Sequence, residues 1–161
     1  MKSYPYSELT RRIIDAGYEV HRELGPGFPG QIHHNALKVA LGERDSKYRS
    51  EVGFDVHFHD HLVGQHRLDL VVEEAIYVEL KAVEGAWPEV FKAQVVSGLA
   101  ASGLPVGLLI DFGNGSCEVK RLINPKLYRQ LKSTDELTRF IGDFVREGNI
   151  HDRSRQFGQT R

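Results

Sequence analysis

The chain has 161 residues, 27% charged and 40% apolar, with 21 Lys plus Arg against 22 Asp plus Glu for a formal net charge of −1. Such a chain can bury a core as one globular domain, expected over residues 1–148, and several classes are excluded. Cys117 is the only thiol, so there is no disulfide framework. No apolar run approaches the ~20 residues of a membrane helix, Met1 to Pro5 carry no signal-peptide core, and a cytoplasmic location without membrane contact is expected. The near-zero charge argues against a purely electrostatic nucleic-acid binder.

Over residues 6–24, Leu9, Ile13, Ala16, Gly17, Val20 and Leu24 recur at the spacing of one helix face, with Ser7 as the cap near the start. Gly25-Pro26-Gly27-Phe28-Pro29-Gly30 stops that helix. A second is expected over 31–42 with Ile32, Ala36, Leu37 and Ala40 inward. Residues 43–50 read as a polar loop. The period then changes to two, with Phe54, Val56 and Phe58 alternating against Asp55, His57 and His59. Asp60-His61 marks a turn, 63–72 a second strand, Glu73-Glu74 another turn and 75–83 a third strand, the simplest assembly being a meander.

Trp87-Pro88-Glu89 starts a helix that runs to about Ser102, with Phe91, Val95, Gly98, Leu99 and Ala101 toward the sheet. The apolar run 106–112 fits a strand buried on both faces, Gly113-Asn114-Gly115 a turn, and 117–122 an edge strand. An amphipathic helix over 133–147 and a polar, flexible tail over 149–161 complete the reading.

Chemistry concentrates in two strands. Residues two apart in a strand share a face, so Glu79 and Lys81 project together, and a tight turn at Glu73-Glu74 brings Asp69 about opposite Glu79. Two carboxylates and one ammonium at a sheet end suit a hard cation such as Mg²⁺ and charge developing on a phosphate. Taken alone, however, alternating charges on a strand more often describe a solvated sheet face than a site. Gln94 lies on the sheet-facing stripe of its helix, where its amide needs a partner: the site's water or lysine, or simply backbone or solvent.

Other groupings carry less. His57, His59, His61 and His66 have no cysteine or glutamate at a recognisable zinc spacing, and Gly25 to Gly30 is followed by no Gly-Lys-Ser/Thr of a phosphate loop. Trp87 reads as a core edge rather than a base-stacking platform. Lys120, Arg121, Lys126, Arg129 and Lys132 form the densest basic stretch, more simply a solvated surface than a phosphate track.

Leu24-Gly25-Pro26-Gly27-Phe28, Val63-Gly64, Arg67-Leu68-Asp69-Leu70-Val71-Val72-Glu73, Val78-Glu79-Leu80-Lys81-Ala82-Val83, Ala93-Gln94 and the block from Gly107 to Gly113 together resemble the GxxExxY proteins of the PD-(D/E)XK nuclease superfamily, over about residues 6–122. The resemblance implies an α/β restriction-endonuclease-like core, a mixed central sheet flanked by helices. It implies Asp69 and Glu79 as ligands of Mg²⁺, or Mn²⁺ in its place, the Leu80 carbonyl as a further ligand, Lys81 as the catalytic lysine and Gln94 as its companion. The implied activity is hydrolysis of nucleic-acid phosphodiester bonds by metal-activated water.

The chain departs from the naming motif, which expects glutamate and tyrosine where Gly30 and His33 stand. Position 34, often acidic in relatives, is His34. In related nucleases a glutamate of this early helix approaches the metal. Its loss leaves three expectations: a site of Asp69 and Glu79 alone, compensation by His33 or His34, or a weak or inactive protein that binds nucleic acid or self-assembles. Homo-oligomerisation stays open.

Overall fold

Helix α1 (Ser7–Leu24) buries Ile13, Ile14, Ala16, Gly17 and Val20 on one stripe, as their spacing requires. Ser7 does not cap it: the helix starts after Tyr6, at φ 70, without a side-chain cap bond. Thr10 Oγ1 instead donates back to the Ser7 carbonyl at 3.0 Å. The Gly25 amide donates to the His21 carbonyl at 2.8 Å, closing the last turn before the chain reverses.

Helix α2 (Gly30–Glu43) turns Leu37 and Ala40 inward as expected, with Ala36 partly buried against the same core, but not Ile32. Ile32 is 41% exposed, and His33, His34, Leu37, Ala40 and Leu41 are buried. Positions 30, 34, 37 and 41 form one row on a helix and Ile32 lies off it. Hydropathy alone favoured the isoleucine over two histidines.

The computed structural model describes residues 6–127. Its sheet has the order β1-β2-β3-β4-β5, formed by β1 (Tyr48–Phe58), β2 (His61–Val72), β3 (Ile76–Lys81), β4 (Val106–Asp111) and β5 (Glu118–Ile123). The first three strands are the expected antiparallel meander, turning at Glu73 and Glu74 with φ of 50° and 53°. β1 begins inside the stretch read as loop, because Tyr48 pairs with Val72 and the Arg49 guanidinium grips the Glu74 carboxylate at 2.7 and 2.8 Å.

β3 and β4 are parallel, which demands a crossover, and helix α3 (Glu89–Ser102) supplies it. Pro88 precedes the first helical residue rather than forming the first turn. All six residues of β4 are buried, since helices cover both faces. Val106, Leu108 and Ile110 pack with α1 and α2, while Leu109 packs with Val95 and Leu99 of α3. β5 closes the far edge antiparallel to β4. The helix expected over 133–147 and the tail over 149–161 lie outside the described residues. Among the described residues no helix is long and apolar enough to cross a membrane.

Where the sheet delivers its chain to the crossover, two loops are tied together. Asp111, fully buried, accepts from the Val83 amide at 3.0 Å and the Gly113 amide at 2.9 Å. Asn114 accepts from the Gly85 amide at 2.8 Å and donates to the Gly85 carbonyl at 3.0 Å. The approach is close enough that a Cβ at Gly113 would stand 2.3 Å from the Val83 backbone. Backbone has no rotamer to change, so Gly113→Ala is expected to lose about 2–3 kcal/mol, at the upper end for overpacking, in urea denaturation.

Candidate active site

The regular sheet fails at one residue. Ladder pairing between β2 and β3 runs from Val72↔Ile76 to Leu70↔Val78 and stops there, so Asp69 and Glu79 would be the next pair. Asp69 Oδ2 instead accepts the Leu80 amide at 2.9 Å, a side chain standing in for a strand partner. On the other side of Asp69, β1 lacks the pairing at Glu51, which has φ 53. The side-chain alternation breaks here too: Leu70 packs on the α1/α2 face and Leu68 on the α3 face, although they are two apart.

The Leu80 carbonyl belongs to the same opening. Lys81 O accepts from the Phe112 amide on the β4 side, and strand residues alternate the direction of their peptide groups. Leu80 therefore turns its carbonyl, like its amide, to the side of β2.

Glu79 is buried to 9% exposure, and both its oxygens are engaged. Lys81 Nζ lies 3.0 Å from Oε1, and the Tyr77 hydroxyl donates to Oε2. Lys81 Nζ also donates to Gln94 Oε1 at 2.9 Å and sits 4.6 Å from the centroid of the Phe91 ring. Thus Asp69, Glu79, Lys81, Gln94 and the Leu80 peptide, all expected at one site, are brought together. Of the two interpretations left open for Gln94, the lysine contact is the one present.

Tyr77 was not anticipated. It is fully buried, and burial first and the Glu79 charge second raise its pKa, so the phenol stays a donor. The available signal was its position two before Glu79 on the same strand face. α3 comes so near that a Cβ at Gly98 would stand 2.5 Å from Tyr77 Cε1 and 2.8 Å from Leu68 Cδ2. The missing side chain at Gly98 sets the distance at which Gln94 and Phe91 meet Lys81.

The two early histidines part company. His33 Nε2 bonds the Gly25 carbonyl at 2.8 Å, and its ring stacks on Phe112 with centroids 4.8 Å apart, so it braces the α1–α2 turn, while its Nδ1 is buried without a partner. His34 is buried, and its Nε2 has no hydrogen-bond partner.

Burial first, and the Glu79 charge second, raise the pKa of Asp69; the Leu80 amide, His34 and Lys81 oppose the rise. Two carboxylates, one of them paired to Lys81, are a donor set of hard oxygens that fits a divalent cation. Among the described residues no three His, Cys, Asp or Glu side chains stand close enough to hold an ion together.

A mixed sheet covered by helices on both faces, opening where an acidic residue of β2 meets the Glu-x-Lys of β3, defines a restriction-endonuclease-like core. Residues 7–122 match the family model described as PD-(D/E)XK nuclease superfamily, and the chain belongs to that superfamily. Among solved structures, the chain is similar to the crystal structure of SSO0001, with 18% identity and a TM-score of 0.48 over 89% of this chain and 69% of that one. It is also similar to an alkaline exonuclease (LHK-Exo) from Laribacter hongkongensis, with 14% identity and a TM-score of 0.44 over 78% and 71%. A comparison with curated proteins gives no match.

Tyr77→Phe removes the donor to a buried carboxylate and is expected to lower stability by about 1–3 kcal/mol in urea denaturation while keeping the fold. A carboxyl whose pKa is higher in the folded chain favours folding below its unfolded pKa, and that contribution is lost as pH rises through the folded value. Metal-free Asp69→Asn is therefore expected to melt above the native chain at neutral pH, with the gap closing toward about pH 4. Thermal scans across that range measure it.

Proposed function

We propose that the protein is a Mg²⁺-dependent nuclease of the GxxExxY type that hydrolyses phosphodiester bonds of nucleic acid by metal-activated water, with Mn²⁺ able to replace Mg²⁺. The observation that supports this most is the continuous chain of contacts Tyr77–Glu79–Lys81–Gln94 beside Asp69 on the Leu80 amide. Charged groups so held need no reorganisation as charge develops on a phosphate. Superfamily membership supports a nucleic-acid substrate and a divalent metal.

In this mechanism Asp69 and Glu79, with the Leu80 carbonyl, hold the cation. When bound, a divalent cation lowers the pKa of a water and draws off phosphate charge. Lys81 presents its ammonium to the water or the scissile phosphate. Gln94 fixes that ammonium through Oε1, leaving its NH₂ group to orient the nucleophile. Tyr77 keeps the Glu79 carboxylate from rotating.

A second reading has its own support: Glu79 has both oxygens occupied by protein donors, and Gly30 brings no carboxylate to the site. It describes a weak or inactive member that binds nucleic acid. Cleavage of DNA and RNA with Mg²⁺ or Mn²⁺ separates the two. The nuclease reading expects Lys81→Ala and Glu79→Gln to lose about 100-fold or more in rate. No cleavage by the native chain, with salt-dependent binding that survives Glu79→Ala, would decide for the second.

A further inference from the structure

The hairpin of β1 and β2 outgrows the sheet that carries it. Continued past Leu70↔Val78, the β2–β3 ladder would set Arg67 level with Lys81, which is also where β4 ends, because Lys81 pairs with Asp111. β2 begins at His61 and β1 runs on to Phe58, so residues 61–66 and their partners in β1 stand beyond the last residue of β3. Topology fixes the direction of this arm: β3 runs toward the end of the sheet where Asp69, Glu79 and Lys81 gather, and the arm extends the same way. Its tip at His61 lies roughly 25 Å from Asp69 along the strand, at about 3.2–3.4 Å per residue.

Among the described residues nothing covers the outer part of the arm. Val52 and Phe54 still pack against the α3 cluster, but every residue over 57–65 is exposed. Three of them are large and apolar: Phe58 at 65% exposure, Leu62 at 59% and Val63 at 60%. The Phe58 ring stacks with that of His59, centroids 4.3 Å apart, so the tip presents an aromatic pair already in order. Apolar side chains grouped on an exposed projection mark a contact surface.

Charge and position select the occupant. From Glu51 to Arg67 the formal charges are three carboxylates, Glu51, Asp55 and Asp60, against one arginine, which does not suit a track for phosphates. Rings and apolar side chains suit bases, whose faces stack on them whatever the sequence. A second copy of the chain would also cover the apolar tip, but it gives no reason for the arm to extend past the end of the sheet where the site opens.

We propose that the β1–β2 arm is a base-contacting element for nucleic acid held at the site, with Phe58, supported by Leu62 and Val63 of the same tip, stacking on unpaired bases. The proposal rests on the nucleic-acid reading above and narrows the substrate to strands with unpaired bases. The ~25 Å between Asp69 and the tip corresponds to about seven nucleotides at roughly 3.4 Å each.

The test uses the full chain, both native and in a Lys81→Ala background that keeps cutting slow, with Mg²⁺ present. Fluorescence anisotropy reads binding to labelled 20-nucleotide single strands of DNA and RNA and to a blunt 20-base-pair duplex. Phe58→Ala is expected to weaken single-strand binding about 10-fold and to leave its salt dependence unchanged, since stacking releases no counterions. Phe58→Trp should restore the affinity. Phe58 is exposed, so neither substitution should move the melting temperature. The duplex, whose base faces are already stacked on each other, should bind all three chains alike.

Single-strand affinity unchanged in Phe58→Ala overturns the proposal. A flattened salt dependence in that variant does so too, because it makes the contact one to phosphate, as does an equal loss on the duplex. A native dimer in sedimentation that Phe58→Ala dissociates, with strand affinity unaltered, assigns the arm to a second copy instead. Absence of both binding and cleavage in the native chain overturns the nucleic-acid reading itself, and it is distinct because it appears with Phe58 in place.

Discussion

The site depends on the hydrogen bond from the Leu80 amide to Asp69. A strand that loses its neighbour leaves buried peptide groups without partners, and such groups must be satisfied. Where the β2–β3 ladder stops after Leu70↔Val78, the next amide facing β2 is that of Leu80, and the side chain of Asp69 reaches it. One contact thus ends the ladder, fixes a carboxylate at the opening and turns the neighbouring peptide carbonyl to the same side. The missing pairing at Glu51 and the switch of Leu68 to the α3 face mark the same discontinuity from β1.

The second carboxylate is held from the opposite direction. Glu79 would be costly to bury unpaired, and Lys81 and Tyr77 divide its two oxygens between them. Lys81 in turn needs partners, which α3 provides through Gln94 and Phe91. The distance of α3 from the sheet is set where Gly98 rests on Tyr77 and Leu68. Packing and electrostatics are consequently one problem here: the residue that orients Glu79 is also the surface on which the crossover helix sits. The tied loops at Val83, Asp111 and Gly113 then fix where β3 hands the chain to that helix.

What the sequence disclosed was local in origin. Strand alternation placed Glu79 and Lys81 on one face, and counting back from the Glu73-Glu74 turn brought Asp69 opposite. Both rules operate over a few residues, and the structure follows them. The expected burial of Ile32 failed because helix rotation is decided by what the sheet presents to α2, which lies far off in sequence. β1 extends past its apolar pattern because its first residues pair with β2 whatever their hydropathy. His33 and His34 could not be told apart either: adjacent helix residues point about 100° apart, and only the positions of Phe112 and Gly25 show where the His33 ring packs.

The formal charge of −1 acquires a local meaning. Asp69, Glu79 and Lys81 together carry one net negative charge when all are ionised, so the bare opening would repel a phosphate. A divalent cation between the carboxylates would reverse the sign within a few ångströms, without any change in the rest of the surface. Attraction would then be short-ranged and confined to the opening, where burial weakens solvent screening. A near-neutral chain excludes avid non-specific adhesion to nucleic acid much more firmly than it excludes chemistry on a single phosphate. The surface charge and the site charge answer different questions, and only the second is tied to the break in the sheet at Asp69.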